Sequence, residues 1–172
     1  MSTYVQISDF DAQSQTAKDI FTVVPLQKYI DKFEVRYLQE LLGSDLYEEF
    51  KTDFAILGNA PTDPKFVAIW KSFCIDSHAG NLIRSEGIKE MLTLFIYFEY
   101  LRDQKVKNNI AGPQVNVQAN SISADYQATN IYTNYNEALE SYCNIQWYIV
   151  TNPDGYDYDN YNGQNKQLIS FA

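Results

Sequence analysis

Cys74, Asp76 and His78 are the group in this chain whose types and spacing come nearest to a set of metal ligands. On a helix, Cys74 and His78 would lie four residues apart and share a face, but a zinc site takes three or four ligands. No second cysteine or histidine is near in sequence, so a buried thiol beside an incidental histidine accounts for them better. His78 is the single histidine, so a Ser/His/Asp or Cys/His system would have to be built around it. No G-x-S-x-G pattern accompanies it. Carboxylate pairs such as Glu48-Glu49 and Asp157/Asp159 have the type needed for acid–base work, yet solvated acids on an outer face explain them more simply. The seven glycines are scattered, with neither GxGxxG nor a P-loop. These residues predict a non-catalytic protein with no metal and no cofactor.

The bulk numbers bound the remaining classes. A chain of 172 residues, 45% hydrophobic and 20% charged, suits one domain with its own core. Thirteen basic against 22 acidic residues give a formal charge of −9, which repels nucleic acid on average and argues against sequence-specific DNA binding. Cys74 and Cys143 have no CxxC spacing and read as buried apolar residues in a reducing compartment. Met1-Ser2-Thr3-Tyr4 opens no basic-then-apolar leader, so a secretion signal is not expected. The most apolar stretch, 88–101, contains Lys89, Glu90 and Glu99 and is shorter than the ~20 residues a membrane helix needs. No membrane partner is expected.

Residues 1–24 are mostly polar and read as an N-terminal arm. Pro25 then opens a first helix whose apolar stripe is Leu26, Tyr29, Ile30, Phe33, Tyr37, Leu38, Leu41 and Leu42. Gly43 stops it, and Ser44 or Asp45 caps a second helix near 45–56 that buries Leu46, Phe50 and Phe54. LGNAPTDP (57–64) is a loop. A third helix starts at Asp63-Pro64, runs through Phe66, Val67, Ile69, Trp70, Phe73 and Cys74, bends around Gly80 and ends by Gly87. The fourth, from Ile88 to about Asn108, is apolar nearly all round and belongs at the centre of a bundle, with Leu94, Phe95, Phe98 and Leu101 as its heart. The fold expected is therefore mainly α: about five helices in one domain, with a helical core over 25–111, an extended β-like insertion near 112–124, a C-terminal helix over 125–152 and an extended tail over 153–172.

Chemistry changes along the chain. Residues 1–107 hold 12 Lys/Arg and 16 Asp/Glu, whereas 108–172 hold one Lys, no Arg, six acids and 12 Asn. Within 114–123 (QVNVQANSIS), Val115 and Val117 alternate with amides at a period of two, which suits a half-buried or edge strand. With no partner strand nearby in sequence, Val115, Val117 and Ile122 are candidates for contact with a neighbouring chain; a private hairpin or irregular loop is the equal alternative. The tail combines Tyr156, Tyr158 and Tyr161 with the apolar end Leu168, Ile169 and Phe171. Lacking enough nearby sequence for a core of its own, it is expected to stay mobile until a partner receives it. Fourteen tyrosines, in a chain 15% aromatic, fit the same theme of contact surfaces.

The order of motifs carries a resemblance. LLGSDLYEEF (41–50), the aromatic helix LFIYFEYLRD (94–103), a Gly-containing extended insert, YNEALESYCNIQWYI (135–149) and a tail reaching YNG (161–163) together resemble the head–tail connector (adaptor, or neck-ring) proteins of tailed bacteriophages, especially those of crAss-like and related Bacteroides-type phages. The likeness covers about residues 25–163 and rests on patterns of helix and aromatic spacing. It implies a virion structural protein at the neck, forming a homo-oligomeric, dodecameric ring that binds the portal protein and an adjacent neck or tail ring and lines a channel for passing DNA. An acidic, amide-rich wall would let DNA slip past, since Lys or Arg would grip its phosphates. The competing expectation is a small, non-catalytic intracellular helical module that binds another protein, with 114–123 folded back or mobile; an enzyme built on Cys74 or His78 would need a pocket at their helix.

Overall fold

In a computed structural model, the protein is described over residues 4–10, 20–76, 80, 82–109, 112–115, 124–159 and 161–166, with 20–25, 104–109, 112–115 and 124–131 described by backbone alone. The described chain is mainly helical. A short 3-10 turn at Ile7–Phe10 precedes α1 (Ile20–Leu42), α2 (Ser44–Leu57) and α3 (Pro64–Trp70); β1 (Phe73–Asp76) and β2 (Leu82–Ser85) follow, then α4 (Ile88–Lys105), β3 (Val106–Asn109), β4 (Gly112–Val115) and α5 (Ala124–Thr151). The expected mainly α bundle with a β-like insertion is thus the fold observed.

Side-chain periodicity explains the bundle. The stripe Leu26, Ile30, Phe33, Tyr37, Leu38, Leu41 and Leu42 of α1 is buried, as are Leu46, Phe50 and Phe54 of α2. Helix α4 packs between α1 and α5, and Ile88, Met91, Leu92, Leu94, Phe95, Ile96 and Phe98 are all buried there. Leu101, expected at the same centre, is only partly covered. At the middle, the rings of Tyr37 and Phe95 stack at 4.4 Å, and Tyr142 of α5 meets Phe95 edge-on at 6.1 Å. Such aromatic pairs add to the burial itself. The 57–64 loop behaves as its residues predict: Gly58 ends α2 with φ 74°, and the Asp63 side chain accepts the Lys65 N–H at 3.0 Å to start α3 with Pro64 in its first turn.

Four expectations need correction. The N-terminal arm is part of the core, because Tyr4, Val5 and Phe10 are buried; three apolar side chains among polar neighbours show too little period to announce a core segment. Helix α1 begins at Ile20, so Pro25 lies inside it, where the absent N–H deletes one bond to the carbonyl a turn earlier without ending the helix. The third helix stops at Trp70. Its supposed continuation is the antiparallel hairpin β1–β2, paired Phe73↔Ser85 to Asp76↔Leu82. The two strands bury alternate positions, Phe73, Ile75, Ile83 and Ser85 lying further in than Cys74, Asp76, Leu82 and Arg84. A run of apolar residues is ambiguous between the two periods, and the strand period won here. Cys74 and Cys143 are exposed rather than buried, Cys74 because it sits on the outer face of β1.

Candidate interface site

Of the residues proposed to meet a partner, Val115 ends β4 and pairs with Val106 of β3. The strand therefore has an intrachain partner over 112–115, the hairpin alternative of the sequence reading; α4 runs directly into β3, which supplies the neighbouring strand. Val117 and Ile122 lie outside the described residues, as do Leu168, Ile169 and Phe171 at the other end.

The tail departs furthest from expectation. Up to residue 166 it is a strap laid along the bundle. Asn152 and Gly155 turn the chain back after α5 with φ of 47° and 70°, residue types that tolerate this region. Tyr156 packs against the core and Tyr158 is buried in it; the Tyr158 hydroxyl donates to the Lys65 carbonyl at 2.7 Å. Burial, with neighbouring tyrosines and acids, holds that phenol neutral by raising its pKa. Tyr161 packs against the same core. Next, the Gln164 N–H donates to the Glu40 carbonyl at 2.6 Å, while the Gln164 carbonyl accepts from the Tyr142 hydroxyl at 2.5 Å and from the Gln146 amide at 2.9 Å. Lys166 ends the strap in contact with the Glu40 carboxylate.

Close packing sets which residues fit beneath the strap. A methyl group on Gly163 would collide with the Leu41 carbonyl and the Tyr161 hydroxyl, and one on Gly43 would collide with the Asn162 side chain. Gly43 also has φ 79°, so it serves both as the break between α1 and α2 and as the bed for Asn162.

Lys166 lies in a small aromatic cage. Its Nζ is 4.9 Å from the ring centre of Tyr37, 5.6 Å from that of Tyr142 and 5.8 Å from that of Phe95, all within the range where a ring face attracts a cation. Glu40 completes the site and is also bound by Arg36 at 2.9 Å. Burial works against the Glu40 charge, but hydrogen bonds from Lys166 and Arg36 outweigh it and hold the carboxyl below its usual range. No family model matches the chain, and no curated protein or solved structure matches it. The assignment of this site therefore stands on its geometry.

Two grooves lie near the β1–β2 hairpin. One, of about 490 Å³, is bordered by Asp9, Trp70, Lys71, Glu86, Lys89 and Glu90; the other, of about 350 Å³, by Arg84, Ser85, Glu86, Glu90, Glu137 and Ser141. Burial first, then the charges of Glu86 and Asp9, push the Glu90 carboxyl above its ordinary value. Ser85 and Ser141 hydroxyls bind each other at 2.6 Å, which leaves neither aligned with a base. Among the described residues, no group of three or more His, Cys, Asp or Glu could hold a metal ion, and no helix is long and apolar enough to cross a membrane. His78 lies outside the described residues, and the shared helix face proposed for it with Cys74 is gone because Cys74 is on a strand.

Neither Glu40 nor Lys166 stood out from the sequence as a site residue. Lys166 did carry a signal, being the single cation after residue 107. A lone cation in a long amide-rich stretch is a reason to look for its counter-charge, and Glu40, more than a hundred positions earlier, is invisible until the strap folds back.

Proposed function

We propose that the chain is a structural subunit of the neck of a tailed phage, a head–tail connector that assembles as a ring between the portal and the next ring of the tail. The observation that supports the reading best is the β3–β4 hairpin, inserted between α4 and α5, which pack side by side in the bundle. A two-stranded hairpin leaves its outer backbone groups unpaired and gains little stability alone, so a neighbouring subunit is a natural source of the missing pairing. The excess of carboxylates agrees with a wall past which DNA slides. In this reading the portal and an adjacent ring are the partners and no chemistry is performed.

One observation favours the second reading, a small non-catalytic module that binds another protein. Strand β4 already pairs with β3, and the tail to residue 166 is folded back on its own bundle, as a monomer would have them. Native mass measurement of the protein, alone and mixed with a candidate portal protein, separates the two. The connector reading expects a ring that rides on the portal; a monomer or dimer in both samples removes it and leaves the module.

A further inference from the structure

We infer that Tyr37, Glu40, Phe95 and Tyr142 form a recognition site for a lysine side chain, which Lys166 fills within the chain and which Lys166 of a second copy fills when the strap is lifted. The inference needs only two copies of this chain and stands apart from any role at a phage neck.

Three features carry it. The first is the chemistry of the cage: one carboxylate and three ring faces surround an ammonium, a combination suited to a primary or methylated amine and to little else. Its acidic member is held charged by Arg36 as well as by Lys166, so the site keeps its charge when the lysine leaves. The second is how the strap is attached. It leaves α5 through the Asn152–Gly155 turn, and past Tyr161, which packs against the core, its attachments are hydrogen bonds with the Glu40 carbonyl, the Tyr142 hydroxyl and the Gln146 amide, groups that the strap itself covers. Such a segment opens as a unit while the helices beneath stay packed. The third is the fit. The bare Gly163 backbone lies against the Leu41 carbonyl, and Asn162 fills the space left by Gly43, so the bed is cut for this segment. A second copy offers the identical segment, and exchanging identical elements between copies conserves every contact.

The test uses the full-length protein carrying Lys166→Met and a synthetic peptide of residues 153–166 as probe. Amide exchange in the variant should rise severalfold over 158–166 and stay unchanged in α4 and the second half of α5. The wild-type peptide should bind this variant at least tenfold more tightly than it binds the wild-type protein, whose own Lys166 occupies the cage. A peptide with methionine at position 166 should lose that advantage, and one with arginine should keep most of it. Glu40→Gln, which leaves Lys166 in place, should loosen the strap in the same residues and weaken peptide binding. Unchanged exchange over 158–166 in both variants would show that the lysine does not fasten the strap. Exchange rising together through α4 and α5 would make the strap part of the core, and equal binding of the lysine and methionine peptides would remove the cage as a lysine site.

Discussion

Residues 4–10 and 153–166 both fold back onto the same bundle, and they are fastened with a different balance of burial and charge. The N-terminal segment inserts Tyr4, Val5 and Phe10 among α1, α2 and their neighbours, with Tyr4 meeting the rings of Phe50 at 5.5 Å and Phe54 at 4.7 Å. Its polar tie is a carboxylate: Glu34, almost fully buried, accepts the Tyr4 N–H at 3.0 Å and that of Val5 as well. The C-terminal strap inserts Tyr158, then continues on hydrogen bonds and ends in an ammonium with a carboxylate counterpart. The N-terminal segment is held mainly by apolar burial around Glu34, which has no cation partner among the described residues, with an Asp9–Lys89 ion pair at 2.8 Å at its end; the strap is held by its tyrosines as far as Tyr161 and then by hydrogen bonds and the Lys166–Glu40 pair. The first arrangement should tie its segment to global stability, while the second should let the end of the strap open locally.

The largest effect should follow from emptying the N-terminal anchor. Phe10 is 1% exposed, and Phe10→Ala should cost about 3–5 kcal/mol of global stability in denaturant unfolding. A loss under about 1 kcal/mol, as for a surface site, would put segment 4–10 in the same class as the strap and erase the contrast.

Titration sharpens it next. Burial pushes the Glu34 carboxyl up to about 7 from 4.5, against the two backbone N–H bonds that favour its charge, and Asp31 pushes it further up. A folded pKa above the unfolded one means that the native state binds more protons between those values. The contribution of Glu34 is complete below pH 4.5 and is lost as pH rises through 7. Relative to Glu34→Gln, the wild type should therefore lose on the order of 2–3 kcal/mol between pH 4.5 and 8. Parallel stability profiles for the two proteins across that range would mean that the carboxylate does not sit charged and buried at neutral pH.

The smallest effect belongs to the strap. Tyr158→Phe keeps the ring and removes the hydrogen bond to the Lys65 carbonyl, for an expected cost of about 1 kcal/mol. The change should appear mostly as faster amide exchange over 156–166. A cost comparable to that of Phe10→Ala would show that the strap is as much core as the N-terminal segment.

The periodic parts of this fold were legible from residue types. The stripe of α1, the second helix, the all-round apolar α4 and the turn residues at 58–64 behave as their spacing predicts, because burial on one face writes itself into sequence at 3.6-residue intervals. What escaped was non-periodic or long-range. Tyr4, Val5 and Phe10 are too few to show a period, and FCID followed by LIRS satisfied a helical count as well as a strand one until pairing decided it. The tail, aromatic by composition, is expected from sequence to be mobile until another chain receives it, but the surface that receives it to residue 166 is in the same chain, with Glu40 and Lys166 separated by 126 positions. Nothing local in the sequence encodes a pairing at that distance.

The isolation of Lys166 has one more consequence. Beyond Lys107 it is the sole Lys or Arg, hence the sole bond in that long stretch that trypsin can cut. Its side chain is 17% exposed and enclosed by rings and a carboxylate, a conformation a protease cleft cannot accept. Where cleavage is slow relative to reclosing, its rate follows the population of the open form. Loss of the six residues after Lys166, seen as a single mass step, is thus a clock for strap opening that the chain carries without any label.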